Sequence, residues 1–402
     1  MYDFAAMGAW LEFAVRWLHV ITAIAWIGSS FYFIALDLGL HRDRNLKSGA
    51  DGEEWQVHGG GFYHIQKYLV APAGMPDGLI WHKWQSYWTW ISGFILLVLV
   101  YYLGAEFYLI DPTVMDLATW QAVGISLVSL GLGWVIYNTL CKVFVNADQT
   151  VLMVALFAVL VAMSWFYTQV FTGRAALLHL GAFTATIMSG NVFFIIIPNQ
   201  KIVVADLMAG RTPDAIYGKI AKQRSTHNNY LTLPVIFLML SNHYPLAFAS
   251  EWNWVIASLV FLMGVTIRHW FNTHHARKGN PHWTWGVTVI LFILIAWLSV
   301  APSEDHEAAV VTRFASAEGF AEVHDIVLGR CSMCHAAEPV WPGLHWAPKG
   351  VALETQADLT RHARAIYLQS GVSHAMPPAN LSYMEEDERE AIVAWYRAAT
   401  GS

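Results

Sequence analysis

Cys331-Ser332-Met333-Cys334-His335 is the stretch from which the organisation of this chain follows. Two thiols spaced C-x-x-C and followed directly by His form the attachment pattern of a c-type haem. The thiols add across the haem vinyl groups, and the adjacent imidazole is held beneath the iron as one axial ligand. Zinc would need four ligands, and the sequence offers neither a second C-x-x-C nor an H-x-x-x-H partner. A redox dithiol would not need the His, and no βαβ pattern surrounds this one. The motif therefore implies one covalent haem c, bound by Cys331, Cys334 and His335.

The rest of the composition describes a different environment. Of 402 residues, 56% are hydrophobic and only 13% charged, with 20 Trp. That balance is typical of a membrane protein rather than of a large soluble core. With two of the three cysteines in the haem motif, Cys141 is left alone and no disulfide framework is available. From Ala301 onward there are 14 Asp and Glu against 7 Lys and Arg, whereas the first 300 residues carry 15 against 16. An acidic soluble tail is thus joined to a nearly neutral membrane part. Nothing supplies the basic face that nucleic-acid binding needs.

Apolar windows long enough to cross a bilayer, about 17 to 25 residues, lie near residues 10–36, 86–103, 120–140, 150–172, 175–198, 229–248, 252–271 and 283–301. The expected fold class is all-α: an eight-helix transmembrane bundle followed by a small helical cytochrome c domain. The link 301–310, with Pro302 and three acids, reads as the boundary, so residues 1–303 form the membrane domain and 304–402 the soluble one. Haem c is attached on the outer side of the bacterial inner membrane. Eight crossings then place both termini and the cytochrome domain in the periplasm. The positive-inside rule supports that orientation. Fourteen Lys and Arg fall in the inner loops and their flanks, and only Arg16 and Arg174 fall in the outer segments before the tail. Placing His19 over His179 aligns Leu18–Phe33 with Leu178–Phe193 at six positions, which suggests a parallel four-plus-four repeat. The inner loop contains His58-Gly59-Gly60-Gly61, read either as a flexible turn or as backbone folded against a ligand. A second inner segment, 199–227, reads as an interfacial helix.

Ionisable side chains within lipid tend to line functional cavities. His19, His179 and His243 fall toward the outer helix ends; His82, His227 and His269 fall toward the inner ends, with Arg268 beside the last. Three readings stay open for them: axial ligands of a b-type haem, acid–base groups around a polar substrate, or links between neighbouring helices. Asn228, Asn229, Asn242 and Gln85 add donors at similar depths. Arg268 offers a planar fork suited to a planar anion. In the tail, Met376 precedes Pro377-Pro378, which fix an extended backbone and can present its thioether to the iron as second ligand; His345, His362 and His374 are rivals.

These motifs together resemble the integral-membrane urate oxidases, or urate hydroxylases, that carry a C-terminal cytochrome c. The resemblance covers essentially the whole chain. It rests on Val57-His58-Gly59-Gly60-Gly61-Phe62-Tyr63, on Lys83-Trp84-Gln85-Ser86-Tyr87-Trp88-Thr89-Trp90-Ile91-Ser92-Gly93, on His227-Asn228-Asn229-Tyr230-Leu231-Thr232-Leu233-Pro234, on Ser241-Asn242-His243-Tyr244-Pro245 and on Arg268-His269-Trp270. Where that family often has Glu, this chain has Gln85, which puts an acid–base role there in question. The resemblance implies oxidation of urate to 5-hydroxyisourate in purine catabolism, with electrons leaving through haem c to the respiratory chain rather than to O2 to make peroxide. In the mechanism expected on that basis, Arg268 holds the anion and His269 or His227 acts as base with Asn228 nearby, and the acidic tail predicts docking to a cationic acceptor, a soluble cytochrome c or a terminal oxidase. The first helix is similar to the His-bearing, haem-binding helix of membrane protoporphyrinogen oxidases, which favours a b haem on His19, His179 and His243. The alternatives are a quinol–cytochrome c type electron carrier with a membrane b haem, and a redox-sensing transporter or assembly factor.

Overall fold

The structure is a computed structural model that describes residues 4–69, 78–112, 114–145, 148–300 and 311–401. The chain divides into two compact units, Met1–Val300 and Ala301–Ser402. The link 301–310 lies outside the described residues.

The first unit is helical along most of its length. Helix α1 is Phe4–Gly39; α2 is Trp84–Leu96, continued by a π-helical turn Leu97–Tyr102; α3 is Thr119–Val143 and α4 Gln149–Val170. Helix α5, Gly173–Gly190, runs on through a π turn, Asn191–Ile196, into α6, Ile197–Met208. Then follow α7, Ala215–Ser241, α8, Asn253–His275, and α9, Trp283–Ser299. Each of the eight apolar windows read from the sequence overlaps one of these rods. Among the described residues five helical stretches are long and apolar enough to cross a membrane by length and composition, namely Met7–Gly39, Thr119–Val143, Gln149–Val170, Gly173–Met208 and Asn253–His275, with Trp283–Ser299 a shorter apolar helix.

Three helix starts are fixed by side chains that accept otherwise unpaired backbone N–H groups. Asp148 takes Thr150 N at 2.7 Å, Thr172 takes Ala175 N at 3.1 Å, and Asp214 takes Ile216 N at 2.9 Å. Each such cap stabilises its helix by about 1 kcal/mol. The Asp214 cap also explains part of a departure from the expected layout. Residues 199–227 are not a separate interfacial helix: 197–208 extends the rod from α5, and the Asp214 cap starts a single α7 that continues through His227 and Pro234. Basic residues in the first half of α7 break its apolar window, so the sequence reading starts the helix too late.

The fold is not wholly α. Ala50–His58 (β1) and Gly61–Tyr68 (β2) pair antiparallel, with His58 opposite Gly61 and a bulge between Ala50 and Gly52. Gly59 and Gly60 form the two-residue turn at φ 59° and 78°, the left-handed pair that a primed hairpin turn requires. The hairpin is tied to its surroundings by charge, Lys67 to Asp37 of α1 and Glu54 to Arg277 at 3.7 Å, and Lys222 of α7 joins the same Asp37 at 3.0 Å. His64 donates to Glu53 at 2.7 Å and stacks on Trp55, and this hydrogen bond holds the Glu53 carboxyl below its ordinary value.

The apolar core joins the π end of α2 with α3, α4, α5 and α7, around Tyr137, Tyr167, Phe171, Phe183 and Leu238. At one crossing the backbones come unusually close. A Cβ on Gly264 of α8 would stand 2.5 Å from Cδ of Pro234 in α7. Because both partners are stiff, Gly264→Ala should cost about 1–3 kcal/mol of stability by overpacking, read as a lowered melting temperature of the full chain. An unchanged melt would show that the crossing is looser than described.

In the second unit, α10 (Phe320–Arg330) packs on α11 (Glu386–Thr400). Trp395 is fully buried, touches Phe314 and Phe320, and donates its indole N–H to Phe314 O at 3.0 Å. Arg330 binds Glu388 at 2.9 Å, which fixes the end of α10 against the start of α11.

Candidate active site

Two polar clusters of the first unit lie on different faces of α7. In one, Asn191 donates to the Tyr137 hydroxyl at 3.0 Å and to Asn228 Oδ1 at 2.9 Å. Having accepted from Asn191, Tyr137 can donate its own proton to His227 Nδ1, 2.8 Å away. That pattern places the imidazole proton on Nε2, which is buried without a partner. Arg224 closes the cluster, donating to Asn138 at 2.9 Å, with its guanidinium 4.9 Å from the Tyr137 ring centre. Asn228 also donates to Met188 O at 2.9 Å. His227, Asn228 and Arg224 are all at most 4% exposed, so this cluster is a buried polar pin between α3, α5 and α7.

The second cluster faces α8. Arg268 donates to Asn229 Oδ1 at 3.2 Å and to Asn272 Oδ1 at 3.0 Å, while Asn272 donates to Asn229 Oδ1 at 2.9 Å. The Arg268 guanidinium lies 4.1 Å from the centre of the Phe31 ring on α1 and 5.8 Å from that of Phe271. Arg268, Phe31, Leu233, Phe271 and His275 border a hollow of about 400 Å³. Ala35 and His275 also border a second hollow of about 460 Å³ under β1, with Tyr32, Glu54, Gln56 and Arg277. Glu54 Oε2 and His275 Nδ1 are buried there without a hydrogen-bond partner. Hollows of this size, with aromatic walls and a few converging polar groups, suit a small planar ligand.

Against this geometry the expected residues separate. Arg268 is on the wall of the hollow. His227 and Asn228 are brought together, but in the other cluster. His269 joins neither: one residue on from Arg268 it is turned by about 100°, is exposed, and its ring lies 6.1 Å from Trp283. Of the three outer histidines, His19 bonds through Nδ1 to Thr89 O at 3.0 Å. His179 engages both nitrogens, with Ala175 O at 2.8 Å and Ser126 Oγ at 2.9 Å. His243 is exposed in the turn after α7. No hydrogen bond or ring contact joins the three among the described residues. Gln85 Oε1 is buried and unpartnered. The glycine turn at 59–60 stands at the hairpin tip, and it is Glu54 and Gln56 of β1 that reach the hollow.

The profile of the urate oxidase N-terminal family matches residues 5–299, which include both clusters and both hollows. This chain belongs to the urate oxidase N-terminal family. No curated protein and no solved structure matches it significantly. Membership in this urate oxidase family supports urate-related oxidation, and it directs attention to the hollow that holds Arg268. The sequence reading missed Phe31, Asn272, His275 and Glu54. One signal was available: Arg268, Asn272 and His275 are spaced i, i+4, i+7, a single helical face.

In the second unit, Cys331, Cys334 and His335 follow directly on the C-terminus of α10. Burial pushes the Cys331 thiol up to about 12 and raises Cys334 too, the opposite of what a reactive redox dithiol needs. His335 donates Nδ1–H to Val351 O at 2.8 Å, which leaves Nε2 as the ring nitrogen able to act as a ligand. Met376 is 36% exposed. The buried Arg389 donates to its carbonyl at 3.0 Å and to Ser370 O. Among the described residues no group of three or more His, Cys, Asp or Glu is placed to hold a bare metal ion.

Proposed function

We propose that this protein is a membrane-bound urate oxidase that forms 5-hydroxyisourate in its helical unit and passes electrons to a covalent haem c in its second unit. The observation that carries this reading is Arg268, held by Asn229 and Asn272 over the Phe31 ring on the wall of a ligand-sized hollow, within the stretch that matches the urate oxidase family. Urate is planar and anionic at neutral pH. Its ring can stack on the aromatic wall while its oxygens and ring nitrogens take the guanidinium fork.

All eight rods cross the bilayer in this proposal, with the hairpin and the mouth of the site on the cytoplasmic side and both termini in the periplasm. The bias of basic residues supports that sidedness. Haem c would be held by Cys331 and Cys334, with His335 and Met376 as axial ligands. The donor set suits it, having protonated neighbouring thiols, an oriented imidazole and an accessible thioether. When bound it supplies a one-electron acceptor of raised potential. For a membrane b haem the support is weaker: His179 already uses both nitrogens within the protein and His243 lies outside the helices.

Adding urate to the purified, oxidised full-length protein should reduce the c-type haem spectrum without forming peroxide. A spectrum left oxidised by urate but reduced by a quinol would transfer the function to the electron-carrier alternative.

A further inference from the structure

We propose that His275 is the general base of the oxidation and that the hollow under β1, with Glu54 and Arg277 on its rim, is where the proton leaves. This rests on the reading of the Arg268 hollow as the urate site. The overall step balances as urate monoanion plus water giving 5-hydroxyisourate, one proton and two electrons. The electrons go singly to a one-electron acceptor such as ferric haem. The water oxygen bonds to C5 as one of its O–H bonds breaks, and that proton needs a base within reach of the ring.

Among the described residues bordering the Arg268 hollow, only Arg268 and His275 are ionisable. Arg268 cannot accept a proton, because a guanidinium is already protonated throughout the working pH range. His275 stands two helical turns beyond Arg268 on the same face of α8, and it borders both hollows. The other candidate bases are occupied or turned away. His227 is bonded through Nδ1 to Tyr137 in the other cluster, and His269 lies against Trp283.

The surroundings of His275 suit proton release. Tyr32 approaches from α1, Glu54 from β1, and His274 and Arg277 from the end of α8. His41 reaches the same rim through Arg277 Nη1 at 2.6 Å. Glu54 Oε2 and His275 Nδ1 are buried in this hollow, and neither makes a hydrogen bond. Both Glu54 Oε2 and the His275 carbonyl come within 4 Å of a single point, the place a Cβ on Gly39 would take. Glu54 pairs with Arg277 at 3.7 Å, which places a carboxylate on the rim of the hollow to receive the proton next.

The test uses the full-length protein with urate and ferricyanide as acceptor. His275→Gln should bind urate within about threefold of the wild type while turnover falls about 10²- to 10⁴-fold, the range for loss of a general base. The acid limb of the wild-type pH profile should vanish from the residual rate. Glu54→Gln, which keeps the base, should retain that limb while turnover falls by more than about threefold, because the carboxylate that takes the proton onward is gone. Turnover of His275→Gln within threefold of wild type with the acid limb intact overturns the inference, as does a Glu54→Gln protein whose turnover stays within threefold of wild type. Should the wild type fail to bind urate at all, the reading of the site falls and takes this inference with it. Tight urate binding alongside an unaffected His275→Gln sinks this inference alone.

Discussion

Arg268→Gln should weaken urate binding by about two to three orders of magnitude and lower turnover at sub-saturating urate in proportion. A hydrogen bond to a charged group contributes about 1.5–3 kcal/mol. A guanidinium fork that makes two of them to urate is therefore worth about 3–4 kcal/mol after desolvation, at 1.4 kcal/mol per tenfold. Glutamine keeps a donor but loses both the charge and the fork. Arg268→Lys keeps the charge alone and should fall between the two, because an ammonium neither spans two acceptors nor stacks flat on Phe31. Arg268 also anchors Asn229 and Asn272, so each variant needs a thermal melt beside the binding isotherm. Wild-type affinity in a well-folded Arg268→Gln protein would remove urate from this hollow.

Much of this arrangement is legible in the sequence, and the parts that are not share a physical cause. Apolar runs report helices well, so each of the eight windows overlaps a rod. They report helix ends poorly where an amphipathic or basic turn continues a buried helix, as α7 does from Ala215 to His227. The hairpin is disguised by its charge: Glu53-Glu54-Trp55-Gln56 and His64-Ile65-Gln66-Lys67 are not apolar alternations, and their order comes from cross-strand contacts such as Trp55 opposite His64 and the diagonal bond from His64 to Glu53. At the site, adjacency in sequence misled. His269 follows Arg268, but successive residues on a helix point about 100° apart. The neighbours that matter are Asn272 and His275, at the helical spacing. Phe31 and Glu54 come from other elements, which no local pattern could have connected to Arg268.

Replacing both Cys331 and Cys334 by Ser should abolish covalent haem, seen as loss of haem staining on a denaturing gel. Electron transfer from urate to any natural acceptor should fall to background. The effect is expected to be close to complete because each thioether tethers the macrocycle and His335 alone, oriented by Val351 O, supplies only one axial bond. Urate binding should persist, since the match to the urate oxidase family ends at residue 299 and the Arg268 cluster lies wholly in the first unit. If oxidation belongs to the helical unit and the haem serves only as electron exit, ferricyanide should restore urate turnover in the double variant. Failure of ferricyanide to do so, with urate still bound, would move the oxidising step itself to the haem unit. Met376→Ala isolates the second axial bond: Arg389 should still hold the backbone of the loop through the carbonyls of residues 376 and 370. That variant should therefore keep covalent haem but lower its reduction potential, because a thioether ligand favours ferrous iron. An unchanged potential would hand the sixth position to one of His345, His362 or His374.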